Sequence, residues 1–540
     1  MMKKVIKKLL AALLAVAMVC AMAIPAFAEN SEGDVDSHHT YSAFQIFKGD
    51  VEGNNIKDFK ISNVDWGSNI ITNSEDFLAQ LKAAERIGGQ FEGATTAQDV
   101  LKVISRWHDS DDDSIAFARF VCHYLYSNDA NPTYVVRAGS NALTIPEAKA
   151  GYYLFVDTTD FSKDDSYHSY NSFLLMVTKG NWNVPITPKA EKPSVKKEVF
   201  DNFDNQDGTS TGDFGSSADH AINEKFQFKL TATLPASTDH AYDYYDTYAV
   251  CFKDTLSEGI TYDGPDSVVI KSNNNTYDTT IDPSKYTIDT KNLETQNYFE
   301  VNIHDVKACA KDAGFDLNDG ATITFTYTAH LNEKATVNTT SGPTDNKNSV
   351  QLQYSNNPRP GDYWGTTPKS EVYVFTYQLN NTKYHDDDNP NNVLAGAGFR
   401  LYSNEACHDE DEIKLKMNDD GTYSRDFSTE GKGVEMISGQ DGQFNVKGLD
   451  AGTYYLKETT PPSGYSACAN KEIVISATHN GNHVELDSSK LSTTIINKKA
   501  GGITLPSTGG IGTTIFYVVG GGLMVAAIVL LVTKKRMENK

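Results

Sequence analysis

Acidic side chains outnumber basic ones, 71 to 48, along 540 residues, for a formal charge of −23. Such a surface repels nucleic acid and anionic membranes, and no stretch interleaves basic and aromatic residues to offset that repulsion. No Ser/His/Asp grouping argues for hydrolysis and no Cys-x-x-Cys pair for a metal centre, so neither a cofactor nor a metal is expected.

The chain opens with Lys3, Lys4, Lys7 and Lys8, then an apolar run, then Ala26-Phe27-Ala28. A basic start, an apolar stretch and small residues at a cleavage site make residues 1–28 a secretory signal peptide, with a retained membrane anchor as the alternative. Export permits disulfides. Of six cysteines, Cys20 lies in the leader and five remain, an odd number. Cys407 with Cys468 is the preferred pair and Cys251 with Cys309 the second, against the alternative of five free thiols.

The exported part suggests three domains. In residues 29–188, "SEDFLAQLKAAERIGG" and "ATTAQDVLKVISRW" have helical spacing, so this segment reads as a strand framework with helical insertions. Prolines and lysines then cluster in "NVPITPKAEKPSVKKEV", residues 183–199, and a second break, "YSNNPRPGDYWGTTPKSEV", runs from Tyr354 to Val372. Between and after these breaks the pattern is period two. "KFQFKLTAT" puts Phe226, Phe228 and Leu230 on one face, and "DGATITFTYTAHL" does the same with Ile323, Phe325 and Tyr327. Asp420-Gly421 and Asp441-Gly442 are hairpin signals. Residues 190–365 and 366–500 are therefore expected to be immunoglobulin-like β-sandwiches, making the protein mainly β. "DSDDDS" at 109–114 and "HDDDNPNN" at 385–392 lack the glycine of a calcium loop and read as solvated acidic loops.

The C-terminal end combines three signals in order. Leu505-Pro506-Ser507-Thr508-Gly509 precedes an uncharged apolar run, 511–533, and then the basic tail 534–540 with Lys534, Lys535 and Arg536. The run exceeds the about 20 residues needed to cross a bilayer as a helix, and the basic residues hold the tail in the cytoplasm. Removing the leader's four lysines and the net three positive charges beyond Thr508 takes the formal charge to −30. The ordered set resembles the LPxTG sorting signal of Gram-positive surface proteins. That resemblance implies that a sortase cuts between Thr508 and Gly509 and passes the Thr508 carbonyl to an amine.

"AGTYYLKETTPPSGY", residues 451–465, resembles the E-box (YxLxETxxPxGY) of sortase-assembled pilins. Strand parity supports it, because Tyr454, Leu456 and Glu458 share a face, and a glutamate on an apolar face is costly unless neutral or paired. Pilin domains of this kind join a lysine to an asparagine by an isopeptide bond. Burial lowers the lysine pKa and raises that of an acid, so that a neutral amine can attack an amide polarised by a protonated carboxyl. In residues 366–500, which resemble a Cna B-type domain, Lys383 shares a parity with Tyr377 and Leu379, and Asn497 closes the last strand; the implied set is Lys383, Asn497 and Glu458. In residues 190–365, Lys197 shares a face with Val195 and Val199, Asn348 with Val350, Leu352 and Tyr354, and Asp254 with Val250, Phe252 and Leu256. The implied second set is Lys197, Asn348 and Asp254, against a reading of capping asparagines and a surface aspartate. In the first segment "AGYYLFVDT" starts like an E-box, but Val156 stands where the acid should be; Lys48 is a candidate lysine and no bond is assigned.

"NVPITPK" resembles the pilin motif VxVYPK, with Thr187 in place of the tyrosine. The resemblance makes Lys189 the amine that takes Thr508 of another copy, and Pro185, Pro188 and Pro193 keep it out of sheet pairing. The chain as a whole resembles SpaA-type major pilins. This likeness implies a structural backbone subunit of a wall-anchored pilus, a substrate of sortase rather than an enzyme. Its partners would be a pilin-class sortase, further copies of itself, ancillary pilins and peptidoglycan, with host surface ligands left open. The rival reading is a wall-anchored adhesin, or a basal or tip pilin, which would need no acceptor lysine.

Overall fold

The computed structural model describes residues 40–500, apart from 54–59, 108–110, 138–148, 159–173, 179–191, 203–211, 239, 275, 360–363 and 428–432, together with residue 534. The expected signal peptide, Lys189, the Leu505–Gly509 motif and the apolar run 511–533 lie outside the described residues. Among the described residues no helix is long and apolar enough to cross a membrane. The chain falls into two compact units. One comprises Met1–Tyr377, Gly448–Gly452 and Ser476–Asp487; the other comprises Gln378–Lys447, Thr453–Ile475 and Ser488–Lys540.

The first unit holds two hydrophobic cores. In the N-terminal one, Thr40–Glu52 lies between Lys60–Trp66 and Gly151–Asp157, and Leu174–Thr178 continues the sheet. The two expected helices are present as Ser74–Ala83 and Ala97–Ile104. The second buries Ala97, Val100, Leu101 and Ile104, one face of a helix, and starts with a capping box in which Thr96 and Asp99 satisfy each other's backbone N–H. A third helix, Asp112–Ser127, begins inside the expected acidic loop. Asp112 and Asp113 occupy its first turn, where negative charge is favoured, and both pair with Arg86. The apolar positions Ile115, Ala118, Val121, Cys122 and Leu125 follow at helical spacing.

The other core of this unit lies between two sheets. One runs Tyr286–Asp289, Tyr298–Ile303, Val250–Leu256, Lys347–Ser355, Ser370–Phe375, Ser217–Asp219. The facing sheet runs Asp278–Thr280, Ile260–Ser272, Ala321–Leu331, Lys225–Leu234, Ser194–Asp201, Asp213–Gly215. Strict alternation drives the packing: along Ala321–Leu331 every second residue is buried, ending with Tyr327, Ala329 and Leu331. A short hairpin, Ala477–Asn480 with His483–Leu486, also belongs to this unit and pairs with Gly342–Pro343.

The second unit has two sheets, with orders Leu415–Met417, Tyr423–Arg425, Val446–Leu449, Tyr377–His385, Ser492–Asn497 and Glu412–Ile413, Gly398–Tyr402, Gly452–Thr460, Lys471–Ile475. Its entering strand, Tyr377–His385, lies parallel to its closing strand, Ser492–Asn497, with Lys383 opposite Ile495 and His385 opposite Asn497. The Asp420-Gly421 signal marks the turn between Leu415–Met417 and Tyr423–Arg425, with Gly421 at φ +80°. Gly442 is needed for a closer reason. It has φ +76°, and a Cβ there would stand 2.6 Å from the Lys383 carbonyl oxygen, while its own carbonyl accepts the Lys383 N–H at 2.8 Å. That contact fixes the backbone of the lysine strand.

Candidate functional site: two buried clusters of lysine, acid and asparagine

Period-two alternation decides which of two adjacent lysines is buried. On Ser194–Asp201, Lys196 points to solvent and pairs with Glu198 at 2.6 Å, while Lys197 points inward beside Val199 and is 3% exposed. Across the core, Asp254 and Asn348 sit on neighbouring strands of the opposite sheet, and neither is exposed at all. Lys197 Nζ donates to Asp254 Oδ2. The Tyr327 hydroxyl joins them: it donates to Asp254 Oδ1 at 3.1 Å and accepts from Asn348 Nδ2 at 2.5 Å and from Lys197 Nζ at 3.3 Å. The amine also lies 5.0 Å from the Phe228 ring centre and 5.2 Å from that of Tyr327.

This setting moves protons off nitrogen. Burial lowers the Lys197 amine to about 8 even though Asp254 opposes the shift. Burial likewise raises the Asp254 carboxyl, against the pull of Lys197 and Tyr327. The neutral amine beside a protonated acid is therefore easier to reach here than in water, because a charge in a dry core costs roughly several kcal/mol to desolvate.

The second unit repeats the arrangement with different parts. Lys383 on the entering strand and Asn497 on the closing one are both buried, and Lys383 Nζ donates to Asn497 Oδ1 at 2.5 Å. Glu458, from the strand Gly452–Thr460, accepts from Asn497 Nδ2 at 2.7 Å through Oε1 and from the Cys468 backbone N–H at 2.8 Å through Oε2. Its Oε1 is 3.5 Å from Lys383 Nζ. Burial lowers the Lys383 amine, with Cys468 and Glu458 opposing. Phe399 lies under the amine, 5.3 Å away, and stacks on Phe444.

Among the described residues Lys197 and Lys383 are the buried lysines, and each shares a hydrogen-bonded cluster with one buried acid and one buried asparagine. Lys48 is different. Its side chain is about half exposed and pairs with Asp65 at 3.2 Å, while Tyr152, Leu154 and Val156 fill the core without an acid.

The cysteine expectation is corrected. Cys122, Cys251, Cys309, Cys407 and Cys468 are all free thiols. The sulfurs have separate surroundings. Cys251 lies near Glu300 and Lys253, and Cys309 near Lys285, Asp305 and Asp312. Cys407 accepts from Asn470 Nδ2 at 3.3 Å, and Cys468 faces Lys383 and Glu458. Position along the sequence could not reveal this.

Tyr327 and His479 were not legible as functional groups. Tyr327 reads as one more inward aromatic; its signal is a single phenol in a row of hydrocarbon side chains. His479 Nε2 lies 3.2 Å from Asp201 Oδ2 and 3.6 Å from Asp219 Oδ1, and its Nδ1 meets Ser217 Oγ at 2.9 Å. Asp201, Asp219 and His479 are placed so that they could hold a metal ion, as are His220, Glu224 and Asp450. For the first group an imidazolium between two carboxylates already offsets one of their two negative charges. The loop at 385–392 serves its own turn, with Asp387 and Asn389 accepting from the backbone of Asn389 and Asn391.

Comparison with known families covers the C-terminal part. Residues 380–490 match the SpaA prealbumin-like fold domain. The chain contains a SpaA-type domain. Residues 497–539, after a gap of six residues, match the LPXTG cell wall anchor motif, which places the protein at the cell wall of the bacterial surface. The Lys383 and Glu458 cluster thus lies inside the SpaA-type domain, with Asn497 at the first residue of the anchor match. No curated protein gives a significant match. Among solved structures, the T6 backbone pilin of Streptococcus pyogenes is 16% identical, covers 86% of this chain and 97% of its own, and has a TM-score of 0.47. A C-terminal fragment of the major pilin GBS80 of Streptococcus agalactiae is 21% identical over 57% of this chain and 100% of its own, with a TM-score of 0.41. The major pilin SpaD of Corynebacterium diphtheriae is 19% identical over 68% of this chain and 81% of its own, with a TM-score of 0.40.

Proposed function

We propose that the protein is the backbone subunit of a covalent surface pilus, with three exported domains, 29–188, 190–365 and 366–500. The observation behind this reading is the pair of clusters: each buried lysine has its own acid and its own asparagine. A chain that must bear tension has a use for such interior groups, because a bond between distant strands keeps each sandwich closed. In each cluster the neutral lysine attacks the asparagine Cγ, ammonia leaves, and an amide joins Lys197 to Asn348 or Lys383 to Asn497. Asp254 and Glu458 move the proton. The reaction occurs once per bond and depends on proximity rather than on turnover.

Between subunits the same chemistry is done by sortase. The Thr508 carbonyl passes to the amine of Lys189 in the next copy, and the last subunit joins peptidoglycan. The C-terminal anchor supports the first half of that transfer, and the proline-flanked lysine supports the second. Ancillary pilins would occupy the ends of the polymer.

The test is an immunoblot of cell-wall extracts. The parent should give a high-molecular-weight ladder, and Lys189→Ala should give only anchored monomer. A ladder unchanged in Lys189→Ala would overturn the acceptor assignment, and a parent without a ladder would favour the wall-anchored adhesin.

A further inference from the structure

We infer that Tyr327 is a catalytic residue of the Lys197–Asn348 bond, a proton relay that the second cluster does not need; this rests on the isopeptide reading of the two clusters. The two clusters differ in one respect. In the second unit the acid touches both reacting groups: Glu458 Oε1 is 2.7 Å from Asn497 Nδ2 and 3.5 Å from Lys383 Nζ. In the first unit Asp254 Oδ2 meets the lysine, but the acid makes no hydrogen bond to Asn348. The gap is filled by the Tyr327 hydroxyl, 3.1 Å from Asp254 Oδ1 and 2.5 Å from Asn348 Nδ2.

The proton balance requires such a path. When the neutral Lys197 amine attacks Asn348 Cγ, a C–N bond forms and Nζ must shed one proton. When the Cγ–Nδ2 bond breaks, Nδ2 must gain one to leave as ammonia. The contacts trace a continuous line for this transfer, from Nζ to Asp254 Oδ2, from Oδ1 to the phenol oxygen, and from the phenol to Nδ2. At rest the phenol donates to Asp254 Oδ1 and accepts from Nδ2. Once attack leaves Nδ2 pyramidal with a free lone pair, the phenol turns its O–H to that nitrogen. It gives up its proton while taking one from Asp254 Oδ1, as Oδ2 takes the proton shed by Nζ, so that Tyr327 and Asp254 both end unchanged. The side that faces the hydroxyl is the amide nitrogen, the leaving atom, whereas Asn348 Oδ1 is buried without a hydrogen-bond partner among the described residues. The phenol is held for this role. Its ring packs against Phe228, Tyr262, Phe299 and Phe325 at centroid distances of 5.2–5.6 Å. Burial and the facing Asp254 also keep it protonated far above its ordinary range.

The test is Tyr327→Phe in the exported chain, with crosslinks followed by intact mass and peptide mapping from the moment of expression. The ring is retained, so the packing stands, and the Lys383–Asn497 bond is an internal control for folding. Lys197–Asn348 formation should slow by at least about a hundredfold, the usual contribution of a placed acid–base group, with Lys383–Asn497 unaffected. A fluorinated tyrosine at 327, which keeps ring and hydroxyl, should restore the rate and shift its pH profile; a purely packing role would not move that profile. Equal rates in parent and Tyr327→Phe would overturn the relay alone. A parent lacking the Lys197–Asn348 crosslink would overturn the triad reading and the relay with it.

Discussion

Glu458 holds Asn497 directly, Oε1 to Nδ2 at 2.7 Å, while the same oxygen stands 3.5 Å from Lys383. One carboxyl therefore touches both the amine and the amide of its own unit, which on the proposed isopeptide reading are the nucleophile and the leaving group.

Glu458→Ala should remove the Lys383–Asn497 bond and leave Lys197–Asn348 intact. The exported chain would then be short of one ammonia instead of two. An unbonded amine would remain in the core, and the link between the entering and closing strands would be missing. By analogy with a disulfide closing a loop of this length, that link is worth about 4–5 kcal/mol. The variant should melt lower and be cut by trypsin first within residues 378–500. Parental resistance to heat and trypsin would mean that the bond contributes nothing to stability.

His479 predicts a pH dependence of the opposite sign to acid denaturation. Burial pushes its imidazole down, but Asp201 and Asp219 outweigh that and raise it to about 9 from an ordinary 6.5. Ser217 faces the other ring nitrogen, Phe375 stacks near the ring, and the Tyr377 phenol lies beside Asp219. Because the folded value is the higher one, the stabilisation is complete below pH 6.5 and lost as pH rises towards 9. It amounts to at most about 3 kcal/mol. Hydrogen exchange in the hairpin Ala477–Asn480 and His483–Leu486 should accelerate across that window in the parent, and His479→Gln should flatten the response. A parental hairpin equally protected at both ends of the window would contradict the assignment.

The free thiols are checked by counting. Five thiols should react with a thiol reagent in denatured exported chain, with no change of mass on reduction. In the native protein at pH 8 they should react slowly. Burial raises Cys251 to about 12 and Cys309 and Cys468 to about 11, and it raises Cys122 and Cys407 as well, so thiolate is scarce. A loss of two or four titratable thiols would restore the disulfide pairs.

What the sequence determined by itself is the set of inward-facing residues. Strand alternation is a local property, so Lys197 rather than Lys196, and Glu458 rather than Lys457, could be assigned to the core from their neighbours alone. The same holds for Asp254, Asn348 and Lys383, while Asn497 was marked by its place at the end of the last strand. The helices with clean apolar spacing were legible too, whereas the acidic start of Asp112–Ser127 hid the third, because aspartates that stabilise a helix N-terminus look the same as those of a loop. Only the tertiary structure decided which inward groups meet. That depends on the register between strands far apart in the chain, such as Asp254 opposite Val350 and Tyr327 opposite Phe228. It is this register that sets a phenol between Asp254 and Asn348, a histidine between Asp201 and Asp219, and each cysteine sulfur in surroundings of its own. Side-chain reach is a few ångströms, and no local pattern specifies distances that small between segments tens to hundreds of residues apart.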